Sequence, residues 1–115
     1  MTLNEYQLAA ARTINPMLTR QQMLHHALFE ISSEVGEVHG IFQKELQGHP
    51  IDKDDLKSEI GDVLWGICEL CQVYGWSLDD VAQHNVDKLM KRYPDGFDSE
   101  RSVHRPEYEG GSENG

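Results

Sequence analysis

The chain is short of positive charge. Ten Lys and Arg residues stand against 20 Asp and Glu across 115 residues, a net charge of −10. A protein that grips a nucleic-acid polymer needs a basic footprint to displace counterions, so that role is excluded. A small anionic ligand is still admissible if cations bridge it to the protein. Long apolar runs are missing too. Nothing approaches the roughly 20 residues of a membrane helix. The opening MTLNEYQLAAARTIN has neither the basic start nor the apolar block of a secretion signal. The expectation is a cytoplasmic protein with no membrane attachment. Cysteine occurs only twice, as Cys68 and Cys71 in CELC. Structural zinc usually takes four ligands, and no second cysteine pair exists to supply them. The pair also falls inside a helical pattern, where a thioredoxin-like site would follow a strand. Both cysteines read as core thiols in a reducing compartment. Strand-like alternation of apolar and polar residues is absent as well.

What the chain does have is helical punctuation. Thr2 with Glu5, and Thr19 with Gln22, have the spacing of capping boxes, and Pro16 stops the first helix. Gly48 and Pro50 end a second helix near Gln47. Asp52 caps a third, with Asp54 and Asp55 at its positive end. Gly75 suits the left-handed position that closes it, and Ser77 with Asp80 opens a fourth helix that ends near Tyr93. Apolar stripes run along the second helix (Leu24, Leu28, Ile31, Val35, Val38, Phe42, Leu46) and the third (Leu56, Ile60, Val63, Ile67, Cys71, Tyr74). Such stripes are expected to bury one side against neighbouring helices. The fold expected is all-α: a compact bundle of about four helices built on a long antiparallel hairpin. Residues 1–97 form the domain and residues 98–115, polar and glycine-rich, a loosely ordered tail.

One short phrase occurs twice, as SEVGEV at 33–38 and SEIGDV at 58–63. At about 100° per residue, Glu30, Glu34 and Glu37 share one arc beside the apolar stripe of the second helix. Glu59 and Asp62 are a neighbour pair on the third. Gly66, one turn beyond, leaves space on that side, while Gly36 and Gly61 are credited with close helix packing. A hairpin turning between Gln47 and Asp52 brings the two acid pairs together. Solvated surface acids explain any one of these residues, and a helical interaction module is the corresponding alternative for the whole chain. Two matched pairs at comparable distances from one turn favour convergence instead. Clustered carboxylates repel, and a hard cation such as Mg2+ or Mn2+ would neutralise them and share its remaining positions with phosphate. A di-iron carboxylate bundle is less favoured, because none of the six histidines follows a Glu at the required spacing.

The fourth helix adds Asn85, Lys88 and Arg92 at i, i+3 and i+7. Lys offers phosphate a point charge and Arg a planar fork. Lys44, on the arc of Glu37, is a weaker candidate for the same role. Trp65 and Trp76 read as packing residues, and His25, His26, His39 and His84 show no ligand spacing.

EVGE (34–37), EIGDVLW (59–65) and NVDKLMKRYPDGF (85–97) together resemble the MazG-like nucleoside triphosphate pyrophosphohydrolases. The likeness runs from about His26 to Phe97. The resemblance implies Mg2+-dependent cleavage of a (d)NTP between its α and β phosphates, releasing a (d)NMP and pyrophosphate. It implies that Glu34, Glu37, Glu59 and Asp62 are metal ligands and that Asn85, Lys88 and Arg92 hold the phosphate chain. Water would attack phosphorus in line, with one acid, Glu37 or Glu59, serving catalysis directly. The resemblance also implies a homo-oligomer, dimer or tetramer, which would complete the bundle. Glu30 is an extra acid beside the family pattern, and a carboxylate there can accept from the adjacent N–H groups of guanine.

Overall fold

The computed structural model describes residues 1–105, and among them the chain is helical with no strand. Five helices follow one another: α1 (Leu3–Ala11), α2 (Arg20–Leu46), α3 (Lys53–Tyr74), α4 (Leu78–Arg92) and α5 (Ser99–Val103). The local signals behave as their chemistry requires. Thr2 and Thr19 each accept from the amide three residues on, and Glu5 and Gln22 reach back to close both capping boxes. Asp52 accepts from the amides of Asp54 and Asp55 at the start of α3. Gly75 ends α3 at φ 69°, a left-handed conformation that glycine adopts without a Cβ clash.

The chain divides into two compact units, the first spanning Met1–Leu78 and the second starting at Asp79. In the first, α2 and α3 form the antiparallel hairpin. They pack tightly at Gly66, which is buried. A Cβ built there would stand 2.8 Å from Ile31 Cγ1 and 3.3 Å from the Ile31 amide nitrogen. Gly36 and Gly61, by contrast, have nothing within 4 Å of a built Cβ. The packing role assigned to those two glycines therefore belongs to Gly66. The other end of the hairpin is tied by Arg20, whose Nε donates to the Val73 carbonyl at 3.2 Å while its guanidinium lies over the Tyr74 ring.

Helix α1 packs on the C-terminal half of α3. Ala10, Cys68, Cys71 and Leu78 form the buried core, with Tyr6, Trp65 and Ile67 packed against it. At its edge lies Gln7, itself buried, with its side-chain amide fully used. Nε2 donates to Gln72 Oε1 at 2.7 Å and to the Trp76 carbonyl at 3.0 Å, and Oε1 accepts from the Leu78 amide at 2.7 Å. One side chain thus satisfies the carbonyl and amide that the α3–α4 turn leaves without helical partners. The two cysteines are free and buried, as read from the sequence. Burial pushes both thiols above their usual range; beside Cys68, Cys71 and Glu69 push the same way.

The apolar stripes are only partly buried. On α2 the one fully buried residue is Ala27, while Phe42 is 42% and Leu46 85% exposed; Ile60 of α3 is 54% exposed. Ile31 packs on α3 at Gly66, while Leu28, Val35 and Phe42 on the neighbouring flank stay partly exposed. In the second unit, residues 99–103 form α5 in a stretch expected to be a loose tail. Asp98 caps it by accepting from the amides of Glu100 and Arg101. Arg101 then fastens it to the end of α4, donating from Nε to the Arg92 carbonyl at 2.6 Å and from Nη2 to that of Lys91 at 3.0 Å. Those carbonyls end a helix, where a guanidinium meets both unpaired acceptors and the negative end of the dipole. Residues 106–115 of the expected tail lie outside the described residues.

Candidate metal centre

The hairpin brings the two echo segments together. Glu34 from α2 and Glu59 and Asp62 from α3 each offer a carboxylate oxygen within 4.8 Å of the others. Glu34 and Glu59 are half-buried and Asp62 is exposed. Glu37 is exposed, one turn further along α2, and is not in this group of three. The electrostatics register the crowding. The Glu59 carboxyl is held above its ordinary value of 4.5, first by a hydrogen bond with Glu34, then by desolvation and by the negative charges of Glu34, Asp62 and Asp55. Two carboxyl groups can hydrogen-bond only while one keeps its proton, so the crowding favours a shared proton, and a cation would compete with it. An all-oxygen, anionic, repelling donor set fits a hard divalent ion.

From these acids the α2–α3 seam continues toward the start of α2. Glu30, half-buried, lies at the Gly66 gap, its Cγ 3.4 Å from where a Cβ would stand. One turn further, His26 Nδ1 meets both oxygens of Glu69, at 2.7 and 3.0 Å. Glu69 is 1% exposed, whereas the His26 side chain is 48% exposed. The His26 ring meets Trp65 edge-on, with centroids 6.0 Å apart and planes at 84°. Trp65 is fixed in turn by its indole N–H, which donates to Thr13 Oγ1 at 2.7 Å. The sequence reading assigned His26 no chemistry and passed over Glu69. The signal for Glu69 was its place between two core cysteines, since an acid on a buried helix face needs a partner.

The other sequence candidates are on the last turn of α2 and on α4. Lys44 is exposed in the last turn of α2. Asn85, Lys88 and Arg92 are all on α4, in the second unit; Asn85 is exposed, Lys88 and Arg92 are half-buried, and the Arg92 guanidinium lies 5.8 Å from the Tyr93 ring centre. Trp76 stacks on Tyr74 at 5.0 Å. A cavity of about 420 Å³ beside it is lined by Asn4, Gln7, Leu8 and Gln72 among others, at the opposite end of α3 from the acids.

A helical hairpin that turns one carboxylate of α2 and two of α3 toward one point defines an all-α, acid-centred class of protein. The MazG nucleotide pyrophosphohydrolase domain matches residues 22–97, and the chain belongs to that family. The matched stretch contains both echo segments and all of α4. Among curated proteins, the Gene 37 protein of Mycobacterium phage L5 is 30% identical over 74 residues, covering 60% of this chain and 65% of that protein. The uncharacterized protein YvdC of Bacillus subtilis (strain 168) is 44% identical over 41 residues, covering 36% of this chain and 39% of that protein. The similarity thus spans less than two thirds of either relative. No solved structure matches the chain at a meaningful level. Family membership points to nucleotide pyrophosphohydrolase activity. Among the described residues, no helix is long and apolar enough to cross a membrane.

Proposed function

We propose that the protein hydrolyses (deoxy)nucleoside triphosphates between the α and β phosphates, in the cytoplasm, as an enzyme of nucleotide-pool control. The observation that carries this reading is the meeting of Glu34, Glu59 and Asp62 within the stretch that matches the family. These three, with Glu37 one turn away, would hold Mg2+, for which Mn2+ could substitute. The ion would neutralise the triphosphate and the charge that develops as the anhydride breaks. One water is consumed: its oxygen joins phosphorus, the α–β anhydride bond breaks, and pyrophosphate leaves. Glu37 and Glu59 are the candidates to take the water's proton. Asn85, Lys88 and Arg92 are proposed to bind the phosphate chain, on their spacing along α4 and their match to the family pattern; Lys44 is a secondary candidate. Glu30 is proposed to face the base. A homo-oligomer, dimer or tetramer, is part of the same reading, supported by the exposed apolar flank of α2.

The test is direct. Incubation with each common NTP and dNTP and Mg2+ should release pyrophosphate, and Glu59→Gln should abolish that release while helicity by circular dichroism is kept. Absence of turnover with Mg2+ and with Mn2+ across the panel would sink the enzyme reading in favour of an interaction module.

A further inference from the structure

Three rungs cross the α2–α3 seam. Glu34 meets Glu59 and Asp62, Glu30 lies over Gly66, and His26 meets Glu69. The α2 members are spaced i, i+4 and i+8, so they form one continuous row. At about 1.5 Å per residue the row extends roughly 12 Å from the acids to His26. A nucleoside triphosphate with its phosphates at the acids is long enough for its base to reach His26 along this row.

We propose that His26 is a specificity-determining residue that binds the nucleobase edge, held in position by the buried carboxylate of Glu69. The inference rests on the function proposed above. Its basis is the asymmetry of the pair. Glu69 is fully buried and spends both oxygens on one ring nitrogen, which fixes the ring's orientation and makes Nδ1 the protonated nitrogen. Trp65, anchored on Thr13, backs the ring from the side. Half of the imidazole is exposed, and among the described residues its Nε2 has no hydrogen-bond partner. With Nδ1–H donating to the Glu69 carboxylate, Nε2 is the ring nitrogen left to accept. Glu30, one turn along the same row, presents acceptors. Neighbouring acceptors match the Watson–Crick edge of guanine, where the N1–H donor stands next to the N2 amino group. Adenine offers an acceptor and a single amino group there, so it leaves one oxygen of Glu30 without a partner. A site built to pair such groups rejects a base that cannot pair them.

The test compares kcat and KM for dGTP and dATP in the wild-type enzyme and in His26→Ala. The preference for dGTP should fall by about tenfold, chiefly through KM, because a hydrogen bond to the base is being removed. Removing His26 alone leaves Glu69 buried without a partner, which can unfold the chain. The double variant His26→Phe/Glu69→Leu replaces the pair with apolar groups beside Trp65 and should fold, by thermal melt, yet show the same flattened ranking. Glu69→Gln keeps an acceptor for Nδ1 and should retain most of the preference. A folded double variant that ranks the bases as the wild type does would overturn the proposal.

A binding arm separates this failure from that of the function itself. In a Trp76→Phe background, Trp65 fluorescence should change on adding dGTP with Mg2+, and the change should weaken about tenfold or more in the double variant. No turnover of any nucleotide by the wild type would refute the proposed hydrolysis. Absence of a fluorescence change, or a change that survives loss of His26, would refute base reading at this seam.

Discussion

Exchanging glycines for alanine at three points of the hairpin separates packing from propensity. Gly36 and Gly61 lie inside helices with open space where a Cβ would stand. Alanine there removes the conformational cost of a helical glycine and meets nothing, so each change should stabilise the protein by about 0.8–1 kcal/mol. Gly66 starts with the same propensity gain but has a neighbour. Its Cβ would overlap Ile31 Cγ1 at 2.8 Å and press the Ile31 backbone nitrogen at 3.3 Å. Ile is stiff at χ1 on a helix, and the amide cannot move without shifting α2. Overpacking of this kind costs about 1–3 kcal/mol, which cancels the propensity gain and leaves a net loss of up to about 2 kcal/mol. Urea titrations followed by circular dichroism would measure all three, and the thermal midpoints should diverge by roughly 4–8 °C per kcal/mol. The reasoning fails if Gly66→Ala stabilises as much as Gly61→Ala does, because the two helices would then not touch at that rung.

Further expectations concern the acids and the core. Glu59 is held above its ordinary 4.5 in the folded chain. Its contribution to stability is therefore complete below that value and is lost as the pH rises through the raised one. With EDTA present, the melting temperature should fall as pH climbs above 4.5; Mg2+ or Mn2+ should restore it, and Glu59→Gln should remove both effects. Gln7→Ala leaves the buried Leu78 amide and two acceptors without their partner, and should cost about 2–4 kcal/mol in chemical denaturation. Cys68 and Cys71, buried and with thiols pushed upward, should resist alkylation at neutral pH in the native protein and react at once in denaturant. Rapid labelling of the folded chain would contradict the packing of α1 on α3.

Legibility in the sequence followed the range of the interaction. Caps at Thr2, Thr19 and Asp52 could be read because each is completed within three residues. The meeting of Glu34 with Glu59 and Asp62 could be read because one short turn fixes how far each lies from it. Gly66 was visible as a gap on the acidic side of α3. The contact between His26 and Glu69 spans 43 residues and depends on how α3 is rotated about its axis, which periodicity leaves undetermined to within a residue's arc. The same rotation decides that Gly66 faces Ile31 while Gly61 faces open space. Composition misdirected the reading of residues 99–103. A polar stretch there folds because Arg101 has carbonyls to bind nine and ten residues back, which a tally of polar side chains does not register. The apolar stripe of α2 meets α3 at Ile31 but leaves Leu28, Phe42 and Leu46 exposed, since a stripe records which face is apolar and not how much of it is covered.

Gln7 bears on where this domain begins. The family match starts at residue 22, after α1 has ended. A gene trimmed to that boundary would still encode the hairpin, both acid segments and α4. It would also remove the residue that pairs with Gln72, Trp76 and Leu78, the cover over Cys68 and Cys71, and the hydroxyl that anchors Trp65. The stretch that matches the family and the stretch that packs together are different lengths of chain, and residues 1–13 supply contacts that the matched stretch lacks.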